Sequence, residues 1–430
     1  MKKPNRLLLI SFALISNFVL KLPTAKASDI DTFKNEVKAT YLKTVKLQRT
    51  DLSLTQPIIL LGSSDQLILR WDDLRPGSSA NYTYTFKHCN QNWKQSGLTN
   101  FDYLDGFEEN TVDEYAFSFA THQSYTHYSV QFPNEDVSFK VSGNYVIEVW
   151  EEDNDTLPVI TQRFYVWEDI AAISGQVFRP NLVTFRTEYQ ELNFSVDIKT
   201  LAITNPYDEI RVVMKQNSRE DNAWQELKPR FINNNILSYD DDNTVFFAGK
   251  EYRRFDTRTL RFQTDRIVKI EKGYKRYDVF VNTDESRSFK QYFYEKDING
   301  NYIVLADLTN DPNIEADYAY IHFTLQYPYF LSNGDFYVVG DFNGYNISEE
   351  NKMVYDFDKQ TYSTTLFLKQ GFYNYLYAFI DKEKPFLDMS YAEGNYFETE
   401  NDYQIYVYQH SYDRDYDRLI GYTVLNSIKR

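Results

Sequence analysis

Ser142-Gly143-Asn144-Tyr145-Val146-Ile147-Glu148-Val149-Trp150 sets a turn cluster directly before a run of β-branched and aromatic residues. Such a run suits a pleated, half-buried surface, and the turn residues ahead of it mark where the chain reverses. The same alternation of run and turn recurs on both sides. Leu67–Trp71, Tyr82–Phe86, Tyr115–Phe119 and Arg163–Trp167 read as strands, parted by turn clusters such as Pro76-Gly77-Ser78-Ser79 and Pro133-Asn134. Regular spacing of this kind predicts a sandwich, with a first domain over residues 28–170. Lys34–Gln48 fits either a short helix or a lead-in strand.

Further along, Leu192–Ile198, Ile210–Lys215, Arg258–Phe262, Tyr277–Val281 and Gln291–Tyr294 predict a second block over 171–327. Asn299-Gly300, set among apolar runs, predicts a tight hairpin. Asp297, Asn299 and Asn301 also stand at positions 1, 3 and 5 of a calcium loop. Tyr302 then stands where that loop needs Gly, and Leu308 where it needs a bidentate Glu, so the hairpin reading is kept. Phe336–Gly340, Tyr362–Leu368, Phe372–Ile380, Tyr403–Tyr408 and Gly421–Leu425 predict a third sandwich over 328–430. The fold class is therefore all-β, a multi-domain β-sandwich protein.

Composition agrees. With 37 Tyr and 32 Phe against 15 Gly and 12 Pro in 430 residues, the chain is rich in pleat-packing residues and too poor in turn formers for a low-complexity protein. Lys2, Lys3 and Arg6, the apolar run from Leu7 to Leu20 and Ala25-Lys26-Ala27 read as a signal peptide over 1–27. Its removal takes away five positive residues and no acid, so the net charge falls from −16 to −21. A field of that sign repels phosphate backbones and argues against nucleic acid as a partner. Cys89 is the only cysteine, so no intrachain disulfide can form, and it reads as a buried, inert thiol.

Chemistry is sparse. There is no G-x-S-x-G elbow, P-loop, G-x-G-x-x-G or H-E-x-x-H, so an exported hydrolase lacks a nucleophile or metal set. His122 and His127, five apart, point to opposite faces of a strand and make poor joint metal ligands. No catalytic residue, metal, cofactor or small-molecule substrate is expected.

Several strings then coincide in order and spacing. They include Trp71-Asp72-Asp73-Leu74, His88-Cys89-Asn90-Gln91-Asn92-Trp93, Tyr125-Thr126-His127-Tyr128, Gln216-Asn217-Ser218-Arg219, Phe246 to Asp256, and Glu315-Ala316-Asp317-Tyr318. Together they resemble the plug protein family of the bacterial type IX secretion system. The resemblance implies a non-enzymatic, periplasmic protein that docks on the outer-membrane translocon barrel, seals its pore, and meets the membrane only through that partner. Val338 to Tyr345 and Tyr373 to Phe379 also resemble early-set, immunoglobulin-like sandwiches that include glycogen-binding modules. Tyr345 stands where those modules carry their first tryptophan, and all five Trp lie upstream, which favours a structural module over the alternative, an exported carbohydrate binder. Because recognition usually resides in loops, the candidate partner-binding residues are His88, Asn90, Trp93, Tyr125, His127, Tyr128 and Tyr345.

Overall fold

The computed structural model describes residues 32–428, apart from 76, 78, 153–155 and 241–243. The signal peptide expected over 1–27 lies outside the described residues. Within them the protein is a multi-domain β-sandwich assembly, and the alternation read in the sequence sets which side chains turn inward. In Tyr82–Cys89, Tyr82, Tyr84 and Phe86 are buried while Thr83, Thr85 and Lys87 between them are half-buried, as a side-chain period of two requires.

The first sandwich packs two sheets. One has the order Glu36–Val37, Ile160–Trp167, Gly143–Glu151, Tyr82–Cys89, Glu109–Thr111, and Ile58–Leu60 runs parallel beside Ile160–Trp167. The other is Leu42–Arg49, Leu67–Asp73, Thr126–Phe132, Glu114–Phe117. Lys34–Gln48 thus contributes strand and no helix. Trp71 stacks on Tyr128 with ring centroids 5.4 Å apart, and Tyr82 meets both rings edge-on. Each fully buried ring contributes roughly 2–3 kcal/mol of transfer free energy.

The second and third sandwiches do not follow the expected division at 327/328. Ile210–Gln216 pairs on one side with Trp224–Leu227 and on the other with Asp402–Ser411, which in turn pairs with Tyr416–Asn426. This sheet faces one built from Ala172–Phe178, Tyr189–Asp197, Ile236–Tyr239 and Phe231–Asn233 around a shared core of Leu192, Val196, Val212, Met214, Ile405 and Ile420. The strands from Arg253 to Asp381 fold as the third sandwich. Gly371–Asp381 pairs with Arg253–Asp256, Tyr302–Val304 and Gly334–Val339, opposite a six-stranded sheet centred on Tyr318–Gln326 and Thr361–Lys369. Its core draws only on residues from Phe255 to Ala392. The last two strands, expected in the third block, instead complete the second. Strand patterning reveals faces, and it carries no information on a pairing partner some two hundred residues away.

The Asn299-Gly300 turn forms, with φ of +50° and +84°, but not as a hairpin tip. No strand covers Gln291–Tyr294, and Tyr302–Val304 pairs with Gly371–Asp381. The turn is held instead by Asn374, whose Oδ1 accepts the Ile298 N–H at 2.7 Å.

Candidate functional site

Charged and aromatic side chains gather where the sandwiches meet. Between the first and third, Leu67–Asp73 directs Leu69 and Trp71 into its own core, so Asp72 points the other way, toward the third sandwich. Asp72 is fully buried. Its Oδ1 lies 2.6 Å from His127 Nδ1, on the directly opposed residue of the neighbouring strand. Its Oδ2 accepts from Tyr318 Oη and from Lys369 Nζ, each at 2.6 Å. Burial disfavours the ionised carboxyl, but the Lys369 charge and these donors outweigh it and hold Asp72 below the usual carboxylate range. Lys369 also donates to the Asn313 carbonyl at 2.6 Å and sits 4.1 Å over the Tyr125 ring, while Tyr125 donates to the Ala316 carbonyl at 2.8 Å. Asp317 returns the exchange, accepting the His122 and Gln123 N–H groups at 2.7 and 3.1 Å.

Between the first and second sandwiches, Asp417 accepts the Gln91 N–H at 2.9 Å and Arg211 Nη1 at 3.1 Å, and His410 Nδ1 lies 2.8 Å away. The Asp417 N–H reaches back to Asn90 Oδ1 at 3.1 Å, and Tyr408 donates to Asn144 at 2.8 Å. Trp93 closes the Asn90–Trp93 turn with φ of +65°, a conformation that costs a bulky residue energy and is kept because its surroundings determine it. Its indole lies 4.4 Å from the Arg163 guanidinium and 5.7 Å from the buried ammonium of Lys215, which also faces the rings of Tyr165 and Tyr406.

Between the second and third sandwiches the chain crosses twice, near 248–252 and 397–401, and the crossings bond to one another through Tyr396 N–H to the Gly249 carbonyl at 2.9 Å. Arg219 lies 4.9 Å from the centre of the Tyr345 ring, whose hydroxyl meets Tyr252 Oη at 2.8 Å. Asn217 and Asn401 pair at 2.8 Å, and Asn299 donates to Asp402 at 2.9 Å. Two carboxyls here are unusually basic. Burial pushes Glu251 up to about 7 and Asp297 up to about 6.

The expected partner-binding residues therefore occupy other places than exposed loops. His88, Trp93, Tyr125 and Tyr128 are buried, and Asn90, His127 and Tyr345 are half-buried. His88 bonds to Ser96 at 2.8 Å and burial lowers its imidazole to about 4. Tyr128 belongs to the first core. Asn90 and Trp93 face the second sandwich, Tyr125 and His127 face the third, and Tyr345 joins the third to the second. Aromatic and polar loops are recognition surfaces here, but their partners are distant segments of the same chain. Cys89 is buried and its thiol is pushed up to about 12 by that burial, which removes it as a nucleophile. The residues not singled out were Asp72, Lys215, Lys369 and Asp417. A lone charge inside an apolar strand, as in Val212-Val213-Met214-Lys215 or Leu366-Phe367-Leu368-Lys369, was the available signal.

The strings quoted from the sequence lie on these seams, and comparison with other proteins says what such a body is. Residues 42–168, the first sandwich with both of its seam faces, match the family described as Type 9 secretion system plug protein 1st domain. The chain belongs to the type IX secretion system plug protein family. A hypothetical protein from Parabacteroides merdae, solved by crystallography, is 34% identical over 92% of this chain and 99% of its own, with a TM-score of 0.88, so the arrangement of all three sandwiches is shared with that protein. The Pseudomonas fluorescens alkylpurine DNA glycosylase AlkC, 13% identical over 29% of this chain and 30% of its own, aligns at a TM-score of 0.18, too low for a shared fold. No curated protein matches. The plug family is one of secretion machinery and not of enzymes, and no helix among the described residues is long and apolar enough to cross a membrane.

Proposed function

We propose that this protein is a non-enzymatic periplasmic plug that docks on the periplasmic side of the type IX outer-membrane translocon barrel and seals its pore when the barrel is not engaged. The observation that carries this reading is the closed set of seams: each sandwich is locked to both of the others, through Lys369 on Asp72, the Gln91 N–H on Asp417, and Arg219 over the Tyr345 ring. An occluder of a protein-sized conduit must resist deformation, and a body already held rigid has little further conformational entropy to lose on docking. Two sandwiches joined by a single flexible linker would pay that cost at each docking event. The carbohydrate alternative loses its main support, because Tyr345, at the position where glycogen-binding modules carry their first tryptophan, is engaged by Tyr252 and Arg219.

The test is affinity capture of the tagged protein from gently solubilised outer membranes, followed by dye-leak measurements on cells lacking it. Recovery of a very large outer-membrane barrel at about equal stoichiometry, together with a leak restored to normal by the wild-type gene, supports the plug. Free, partnerless protein and an unchanged leak overturn it.

A further inference from the structure

The hairpin formed by Ile267–Gly273 and Arg276–Val281 departs in charge from the rest of the molecule. Between Ile267 and Val281 it carries Lys269, Lys272, Lys275 and Arg276 against Glu271 and Asp278, in a chain whose net charge is −16. Lys269 pairs with Glu271, and Arg276 with Asp278 at 2.5 Å. Among the described residues, Lys272 and Lys275 have no carboxylate partner, and their closest ring contacts are Tyr277 at 5.5 Å and Tyr274 at 5.8 Å. Tyr274, at the turn, is 91% exposed.

Geometry decides what such a tip fits. Directly opposed residues of an antiparallel pair share a face, so Lys272 with Tyr277 lies on one face, and Lys269 with Phe280 and Arg276 with Gly273 lie on the other. Lys275 and Tyr274 form the end. The cations are thus arranged around the tip. A partner strand or groove lying against one face meets only part of the set, whereas a flat anionic surface approached end-on meets Lys272 and Lys275 together. Nearest the tip, the body is met by Tyr277 against the His122 ring at 4.8 Å and by the Arg276 guanidinium 4.1 Å over the Tyr320 ring. The turn stands roughly 7 Å beyond that point, comparable to the Debye length of about 8 Å at physiological salt, so the acidic body is partly screened from a surface that the tip touches. A tyrosine flanked by lysines is also the composition that settles at the boundary between headgroups and water.

We propose that this hairpin is a contact for an anionic phospholipid surface, with Lys272 and Lys275 against the phosphates and Tyr274 at the headgroup level. The inference goes beyond the plug reading and departs from the expectation that membrane contact runs only through the protein partner. Each cation close to such a surface multiplies residence by about fivefold, so the contact orients the molecule and does not anchor it.

The experiment is cosedimentation of the full protein, at low salt and high lipid, with phosphatidylglycerol/phosphatidylcholine vesicles and with phosphatidylcholine alone. The protein sediments with the anionic vesicles only, raised salt releases it, and Lys272→Glu/Lys275→Glu lowers binding by roughly tenfold or more while circular dichroism is unchanged. Tyr274→Ala, at a site with no packing to lose, gives an independent smaller reduction. Absence of binding, equal binding to neutral vesicles, or full binding by the double variant overturns the inference. Full vesicle binding by that variant together with loss of translocon capture would assign the tip to an acidic protein surface instead. The vesicles contain no protein, so failure of the plug reading leaves this result unaffected.

Discussion

At the residue scale, the carboxyl of Glu251 links the seam between the second and third sandwiches to pH. Its folded value of about 7 lies above the ordinary 4.5, so the folded state binds the proton more tightly than the unfolded chain does. Stability is therefore greatest below about 4.5 and is lost as pH rises to about 7, by roughly 3 kcal/mol at most. Asp297 acts in the same direction between its ordinary 3.8 and about 6. Glu251→Gln keeps an acceptor for the Tyr292 hydroxyl and the Glu400 N–H while removing the charge. Urea titrations at pH 8 are expected to show this variant more stable than wild type, with a flatter pH dependence above about 6. His88 works oppositely: held neutral to about 4, it removes stability as pH falls below 6.5. Gly300 is a second residue-scale constraint. A Cβ there would lie 2.1 Å from the Tyr345 hydroxyl, at a φ of +84° that side chains rarely adopt. Gly300→Ala is expected to cost about 2–3 kcal/mol, read as a lowered urea midpoint.

At the scale of elements, strand Leu67–Asp73 serves two masters, its own core through Trp71 and the neighbouring sandwich through Asp72. The Asp72–Lys369 pair is fully enclosed, and such a pair contributes little net stability against an apolar replacement but makes loss of one partner costly. Lys369→Met should destabilise by about 3–5 kcal/mol, and Asp72→Asn/Lys369→Met by clearly less than the sum of the single changes. A double-mutant cycle by chemical denaturation measures the difference; strict additivity would mean that the pair does not couple. Much of this was open to reading in the sequence. The face that Trp71 takes follows from alternation, and Asp72 beside it had to lie opposite. What alternation could not say is that the opposite face is covered, because Tyr318 and Lys369 lie about 250 and 300 positions away.

On the scale of the whole molecule, the third sandwich is inserted in the second, and the chain returns through Asp402–Ser411 and Tyr416–Asn426 to finish the sheet it left. A fragment of residues 171–327 lacks both of these strands and is expected not to fold. A fragment of 253–400 contains its own entire core and is expected to fold, though stripped of its seams. Heteronuclear NMR of the two fragments distinguishes them by amide dispersion, and the reverse result would show that the sheet pairing is not required. Intact protein should unfold in one calorimetric transition, because buried seams couple the sandwiches, and Lys369→Met should broaden or divide that transition.

The sequence by itself determined the β class, the first sandwich, most strand faces, the acidity of the chain and the family to which the motifs belong. These are local properties: a side-chain period of two and turn chemistry act over a few residues, and charge is a sum. Only the tertiary structure decided that Ile210–Gln216 pairs with Asp402–Ser411, that Trp93, Tyr125 and Tyr345 recognise their own chain, and that Lys215 and Lys369 are buried. Those outcomes depend on which of many chemically similar surfaces meet. That choice is made by the combined free energy of burying apolar area and satisfying every enclosed charge at once, and no short stretch of sequence contains it.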